Sequence, residues 1–116
     1  MLIRIDPGAA RPIYEQIAAS VRTDVAAGRL RPGDRLPPAR EVAAAVDVNV
    51  HTVLRAYQQL RDDGLIDLRR GRGAIVSASA APLAELSHEI RALVEHAARL
   101  GLSPAALAAL VKETTP

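Results

Sequence analysis

The stretch DVNVHTVLRAYQQL, residues 47–60, decides how the rest of the chain is read. At about 100° per residue, Val50, Val53, Tyr57 and Leu60 fall on one side of a helix, and His51, Thr52, Arg55 and Gln59 cluster on the other. Asn49 stands just ahead, where a side-chain oxygen can cap free backbone N–H groups. Gly64 stands just past Asp63, the usual stop position. The polar face is either an ordinary solvated surface or one that touches a ligand, and the neighbouring segments bear on which.

Upstream, Pro37 and Pro38 open a short helix through AREVAAAV, with Ala39, Val42, Ala45 and Val46 as its apolar stripe. DVN makes a tight turn between it and the longer helix. Earlier still, Ile13, Ile17, Val21 and Val25 recur every fourth residue, predicting a first helix that starts at Pro12 and stops at Gly28. RPGD reads as a turn centred on Pro32 and Gly33, DRL as a very short strand, and LIRI near the start as another.

Downstream, LIDL and AIVS are rich in branched apolar residues and flank RRGRG, which predicts a hairpin with a basic tip. Arg69, Arg70 and Arg72, interleaved with Gly71 and Gly73, put positive charge on a backbone bare enough to approach a phosphate or enter a minor groove. A plain hairpin would also use glycine for positive φ and arginine to keep an edge soluble.

After SASAAP, read as a small-residue linker, the character changes. Leu83, Leu86, Ile90, Leu93, Ala97 and Leu100 follow a three-and-four spacing, the seam of a helix that packs against another. Gly101 ends it. Ser103 then caps a final helix from Pro104 to about Glu113, which offers Leu107, Leu110 and Val111, with Leu102 and Leu107 spaced as a hydrophobic staple. The last helix, about 15 Å long, cannot cover a seam of roughly 27 Å alone. The stripe therefore packs back on the N-terminal part of the chain or on a second copy, and the second is the expectation, with two-fold symmetry matching a near-palindromic site.

Composition narrows the classes. With no cysteine there is no disulfide framework, zinc finger or thiol nucleophile. Two tyrosines are the only aromatic residues, too few for the stacking platforms of single-strand nucleic-acid binders. The net charge of +2 hides an asymmetry: residues 1–78 hold 12 arginines against 9 acidic residues, and residues 79–116 are slightly acidic. The opening MLIRIDPGAA carries Arg4 and Asp6 where a signal peptide needs its apolar run, so a cytoplasmic protein with no membrane partner is expected. Three scattered histidines make no recognisable catalytic set, and neither an enzyme nor a cofactor is expected. Glu85 and His88 have the Glu-x-x-His spacing of helical di-metal sites, but lack the further glutamates such sites need, so no metal is expected.

Three helices, a tight turn between the second and third, and a two-stranded hairpin describe a mainly α fold with a small β-hairpin wing: a winged helix-turn-helix followed by two C-terminal helices. The expected layout is a DNA-binding domain over residues 1–78, with the helix-turn-helix at about 39–58 and the wing at about 65–77, and a helical dimerisation region over 79–116. In such a module the third helix enters the major groove. A winged helix that binds protein, or a non-specific nucleoid component, is the alternative.

The segment from Pro12 to Val76, with PGDRLP, ARE, TVLRAYQQL, DGLI and RGRG in fixed order, resembles the DNA-binding domain of GntR-family transcription regulators. The short tail is most similar to the YtrA-type subgroup, whose helical C-terminal region serves dimerisation. The resemblance implies a homodimeric repressor on a double-stranded operator. It places DNA contacts at Arg40 of the ARE phrase, at Asn49, His51 and Thr52 where the recognition helix starts, and at the wing tip around Gly71.

Some positions depart from the pattern. Pro38 stands where many members carry a capping hydroxyl, and Asp47 where many carry glycine. Val50 and Leu54 stand where better-known relatives have base-reading arginines; Arg55 is the expected substitute, or Val50 meets a thymine methyl. Members with large C-terminal domains bind metabolites there. The 38 residues from 79 to 116 leave no room for such a pocket, and a small-molecule effector, if there is one, goes unidentified.

Overall fold

The computed structural model describes residues 3–114, which form two compact units, one through Glu85 and one from Leu86. The first unit contains α1 (Ile13–Ala26), α2 (Ala39–Val46), α3 (Val50–Asp62), β1 (Ile66–Arg69) and β2 (Gly73–Val76). A single 3-10 turn at Ala78–Ala80 leads into α4 (Ala81–Arg99), which passes into the second unit and is followed by α5 (Pro104–Glu113).

The four-residue spacing of α1 holds: Ile17, Val21 and Val25 are buried, with Ile13 packed at the margin. Pro12 is the N-cap rather than the first helical residue. Its ψ of 147° is extended, and its carbonyl accepts the Gln16 N–H. Past Ala27, Gly28 takes φ 78° and the Arg29 N–H closes onto the Asp24 carbonyl, the expected glycine stop. The sequence from Ile3 to Ile5 is not a strand, although both isoleucines pack on the core; Leu2 of the expected LIRI strand lies outside the described residues. No strand pairs with them among the described residues, and their apolar contacts anchor the segment.

In α2, Val42 is buried and Ala39 and Val46 pack on the core as expected, whereas Ala45 is exposed and Ala43 is buried. With only eight residues, α2 presents one narrow flank to α3, and Ala43 rather than Ala45 sits on it. Asp47 adopts φ 55°, the one non-glycine residue described with positive φ, and the Val48 N–H bonds the Ala43 carbonyl to close the turn. Aspartate tolerates this conformation better than most residues.

Along α3, Val53, Ala56, Tyr57 and Leu60 are buried. Two contacts at equal offset, Arg55 with Tyr14 and Arg22 with Asp63, run α1 and α3 side by side in the same direction. Gly64 (φ 82°) ends α3, with the Leu65 N–H on the Leu60 carbonyl.

Strands β1 and β2 pair antiparallel from Ile66 opposite Val76 to Arg69 opposite Gly73. The expected short strand at DRL is an edge segment bonded to β2. Gly33 N–H donates to the Val76 carbonyl, Val76 N–H to Asp34 and Leu36 N–H to Ala74, with Arg35 bridged to Ile75. This seam ties the wing to the helices and leaves its tip projecting.

SASAAP is not a linker. Ser77 Oγ donates to the Gly64 carbonyl at 2.6 Å, the Ser77 N–H bonds Leu65, and Ala80 is fully buried. Leu83, expected on an intermolecular seam, is half-buried and packs against this unit's core. Small residues here allow close docking where composition alone suggested a flexible joint.

In the second unit, Gly101 (φ 85°) ends α4, and the Leu102 N–H bonds the Ala97 carbonyl in a glycine-type stop. Ser103 caps α5, its hydroxyl accepting from Ala106 N–H at 3.1 Å. Ala97 is buried, but Leu86, Ile90 and Leu93 each remain nearly half exposed, and Leu100, Leu110 and Val111 more so. No helix among the described residues is long and apolar enough to cross a membrane.

Candidate nucleic-acid interface

The start of α3 is set by Asn49. Its φ of −67° and ψ of 139° are extended, and its Oδ1 accepts the His51 N–H at 2.8 Å. The side chain satisfies one of the N–H groups that the first turn leaves free. The Thr52 N–H bonds the Asn49 carbonyl, and the turn carries the partial positive charge of a helix N-terminus. His51 is exposed and Thr52 half-exposed on that turn.

The orientation of α2 relative to α3 rests on Tyr57, whose hydroxyl donates to the Pro37 carbonyl at 2.6 Å. Burial, reinforced by the negative charge of Glu41, pushes the phenol up to about 12. The neutral, donating form therefore persists across the physiological range. Pro37 is held beneath α3, and Arg40, one residue into α2, is exposed.

At the wing, Arg69, Arg70, Gly71, Arg72 and Gly73 are all exposed. The Arg72 N–H bonds the Arg69 carbonyl, and both Gly71 (φ 80°) and Gly73 (φ 75°) use left-handed backbone. An alanine at either would be strained although its Cβ would meet nothing within 4 Å. Arg69 makes only a long contact of 3.7 Å with Asp67, leaving its charge available.

These three elements converge. A cleft of about 460 Å³ is lined by Pro38 and Ala39 at the start of α2, Leu54 and Tyr57 of α3, and Leu68, Arg69, Arg70, Gly73 and Ala74 of the wing. A larger groove of about 680 Å³ runs along α1, past Gln16, Ser20 and Thr23, and none of the expected site residues line it. Among the described residues no group of three or more histidines and carboxylates is placed to hold a metal.

Two residues of the polar face behave differently from the helical projection. Arg55 is exposed, but its guanidinium lies over the Tyr14 ring of α1, 3.9 Å from the centroid. Gln59 is half-buried. Leu54 was marked in the sequence only for lacking charge, yet it is 39% exposed and lines the cleft. Only the position of the wing, folded back from residues 66–76, shows which flank of α3 is shared with it.

A family model described as "Bacterial regulatory proteins, gntR family" matches residues 13–76. The HTH-type transcriptional repressor YtrA of Bacillus subtilis is 42% identical over 79 residues, covering 68% of this chain and 61% of that protein. The chain thus spans about three fifths of that relative's length. Among solved structures, YtrA from Sulfolobus acidocaldarius, a GntR-family transcription factor, is 34% identical with a TM-score of 0.64, covering 85% of this chain and 99% of that one. A GntR family transcriptional regulator from Listeria monocytogenes is 27% identical with a TM-score of 0.65, covering 96% and 100%.

Proposed function

The chain belongs to the GntR family of bacterial regulatory proteins, and on that premise we propose that it is a homodimeric repressor that occludes a promoter by binding a near-palindromic double-stranded operator. The observation that carries this reading is the meeting of the α2 start, Leu54 and Tyr57 of α3 and the arginine-bearing wing at one cleft. The first turn of α3 enters the major groove, with His51 and Thr52 at base edges and Asn49 and Arg40 at base or phosphate. Arg55 lies over the Tyr14 ring yet stays exposed, so its guanidinium N–H groups remain open to DNA. Gln59, half-buried, supports the edge of this surface. Arg69, Arg70 and Arg72 neutralise phosphates, and the bare backbone at Gly71 and Gly73 fits a minor groove.

Homodimerisation is supported by the exposed stripe of the second unit. Leu86, Ile90 and Leu93, nearly half exposed, and Leu100, more so, each have roughly half of the about 1.5–3 kcal/mol of a full burial still to gain, and α5 with Leu107 and Leu110 is about half as long as α4. Two copies double a contact area that is only about 600–1,000 Å² for one small module.

The test is selection of duplexes from a randomised pool, with sedimentation of the free protein and of the complex. A palindromic consensus bound by a two-chain species is expected. Equal affinity for all duplexes would point to a non-specific nucleoid protein, and a stable monomer would remove the two-fold operator.

A further inference from the structure

Leu54 is an apolar side chain exposed on a surface otherwise built for anions. Leu68 of the wing, also 39% exposed, lines the same cleft, with Pro38, Ala39 and Ala74 forming its apolar lining and Arg69 and Arg70 its charged rim. Isolated exposed leucines need no explanation. Two that share one cleft, framed by cations, define a shaped apolar spot inside a field that attracts phosphate.

On the major-groove edge of B-DNA, the apolar group available to such a spot is the C5-methyl of thymine. Val50 lies one helical turn before Leu54 and on the same flank. Arg55, the arginine of the polar face, lies over the Tyr14 ring of α1, and on this flank Val50 and Leu54 stand together with the exposed Gln58 one turn further on. Resting on the DNA-binding reading above, we infer that Leu54 is a specificity-determining residue that reads a thymine methyl in each half-site. The arginine rim supplies the charge complementarity that brings DNA, rather than an apolar protein partner, into the cleft.

The experiment uses the full chain and its preferred duplex, selected from a randomised pool. Each thymine of a half-site is replaced in turn by deoxyuridine, which removes the methyl alone. At one or two positions affinity should fall about four-fold, the worth of one buried methyl-sized group. Leu54→Ala should bind thymine and uracil equally at those positions while keeping the salt dependence of the parent. Leu54→Met, which keeps an apolar reach, should keep the discrimination.

A parent that binds every uracil-substituted duplex as well as the original overturns the inference and leaves sequence-specific binding standing. So does full discrimination surviving in Leu54→Ala. A change in sedimentation of Leu54→Ala, without a change in thymine preference, would identify a second copy of the chain as the occupant and also overturns it. If no preferred duplex emerges for the parent, the DNA-binding reading fails first and this inference with it.

Discussion

The guanidinium of Arg55 lies 3.9 Å from the centre of the Tyr14 ring and so joins the outward side of α3 to the first turn of α1. A partly exposed contact of this kind contributes about 0.5–1 kcal/mol. Tyr14→Leu and Arg55→Ala should each destabilise the fold by that order, and the double variant by less than their sum, as read in urea denaturation. Tyr14→Phe should retain the coupling. On the proposed operator, Arg55→Ala should weaken binding and relax base preference, and Tyr14→Leu should weaken it less, by freeing the arginine without removing it.

Asn49 has two separable roles. Asn49→Ala removes the bond to the His51 N–H and should cost about 1 kcal/mol. Asn49→Asp keeps an equally good cap, so the melting temperature should stay near the parent's. Its negative charge would face a phosphate, however, and duplex binding should fall at low salt. Loss of stability in the aspartate variant would contradict the capping role.

Tyr57 gives the fold a defined alkaline limit. Its folded pKa, about 12, lies above the ordinary 10, so between these values the unfolded chain loses the proton and the native one keeps it. Its contribution is fully present below pH 10 and is lost as pH rises towards 12, up to about 2 kcal/mol. Tyr57→Phe should lower stability at pH 7 by about 1 kcal/mol, because the Pro37 carbonyl loses its donor. It should also flatten this part of the pH–stability curve, as measured by denaturation from pH 8 to 11.

At the wing, Arg72→Ala should weaken binding to operator and random duplex alike. The slope of log affinity against log salt should fall by about 1, the signature of one lost phosphate contact. A change confined to the operator would instead make Arg72 a base reader.

The exposed stripe of α4 should make the proposed dimer sensitive to charge. Leu86→Asp together with Leu93→Asp should convert a dimer into monomers in sedimentation and weaken operator binding by at least ten-fold, with α-helix content retained in circular dichroism. Dimers that persist in this variant would place the interface elsewhere.

Local rules in the sequence determined most of the elements. Period-four apolar residues marked α1, Asn49 and Gly64 bracketed α3, the RGRG tip marked a hairpin, and Ser103 with Pro104 opened α5, because caps, stops and turns depend on residues only a few positions apart. The family signature over residues 13–76 was legible for the same reason, its phrases being contiguous. Tertiary packing alone decided what lies between elements. The bond of Ser77 to Gly64, the packing of Leu83 against the core, the contact of Arg55 with Tyr14 and the meeting of Leu54 and Leu68 in one cleft all join residues with no periodic relation in the chain. A helical projection tells which side of α3 is polar, but which part of that side meets α1 and which meets the wing follows only from how the elements close around a shared core.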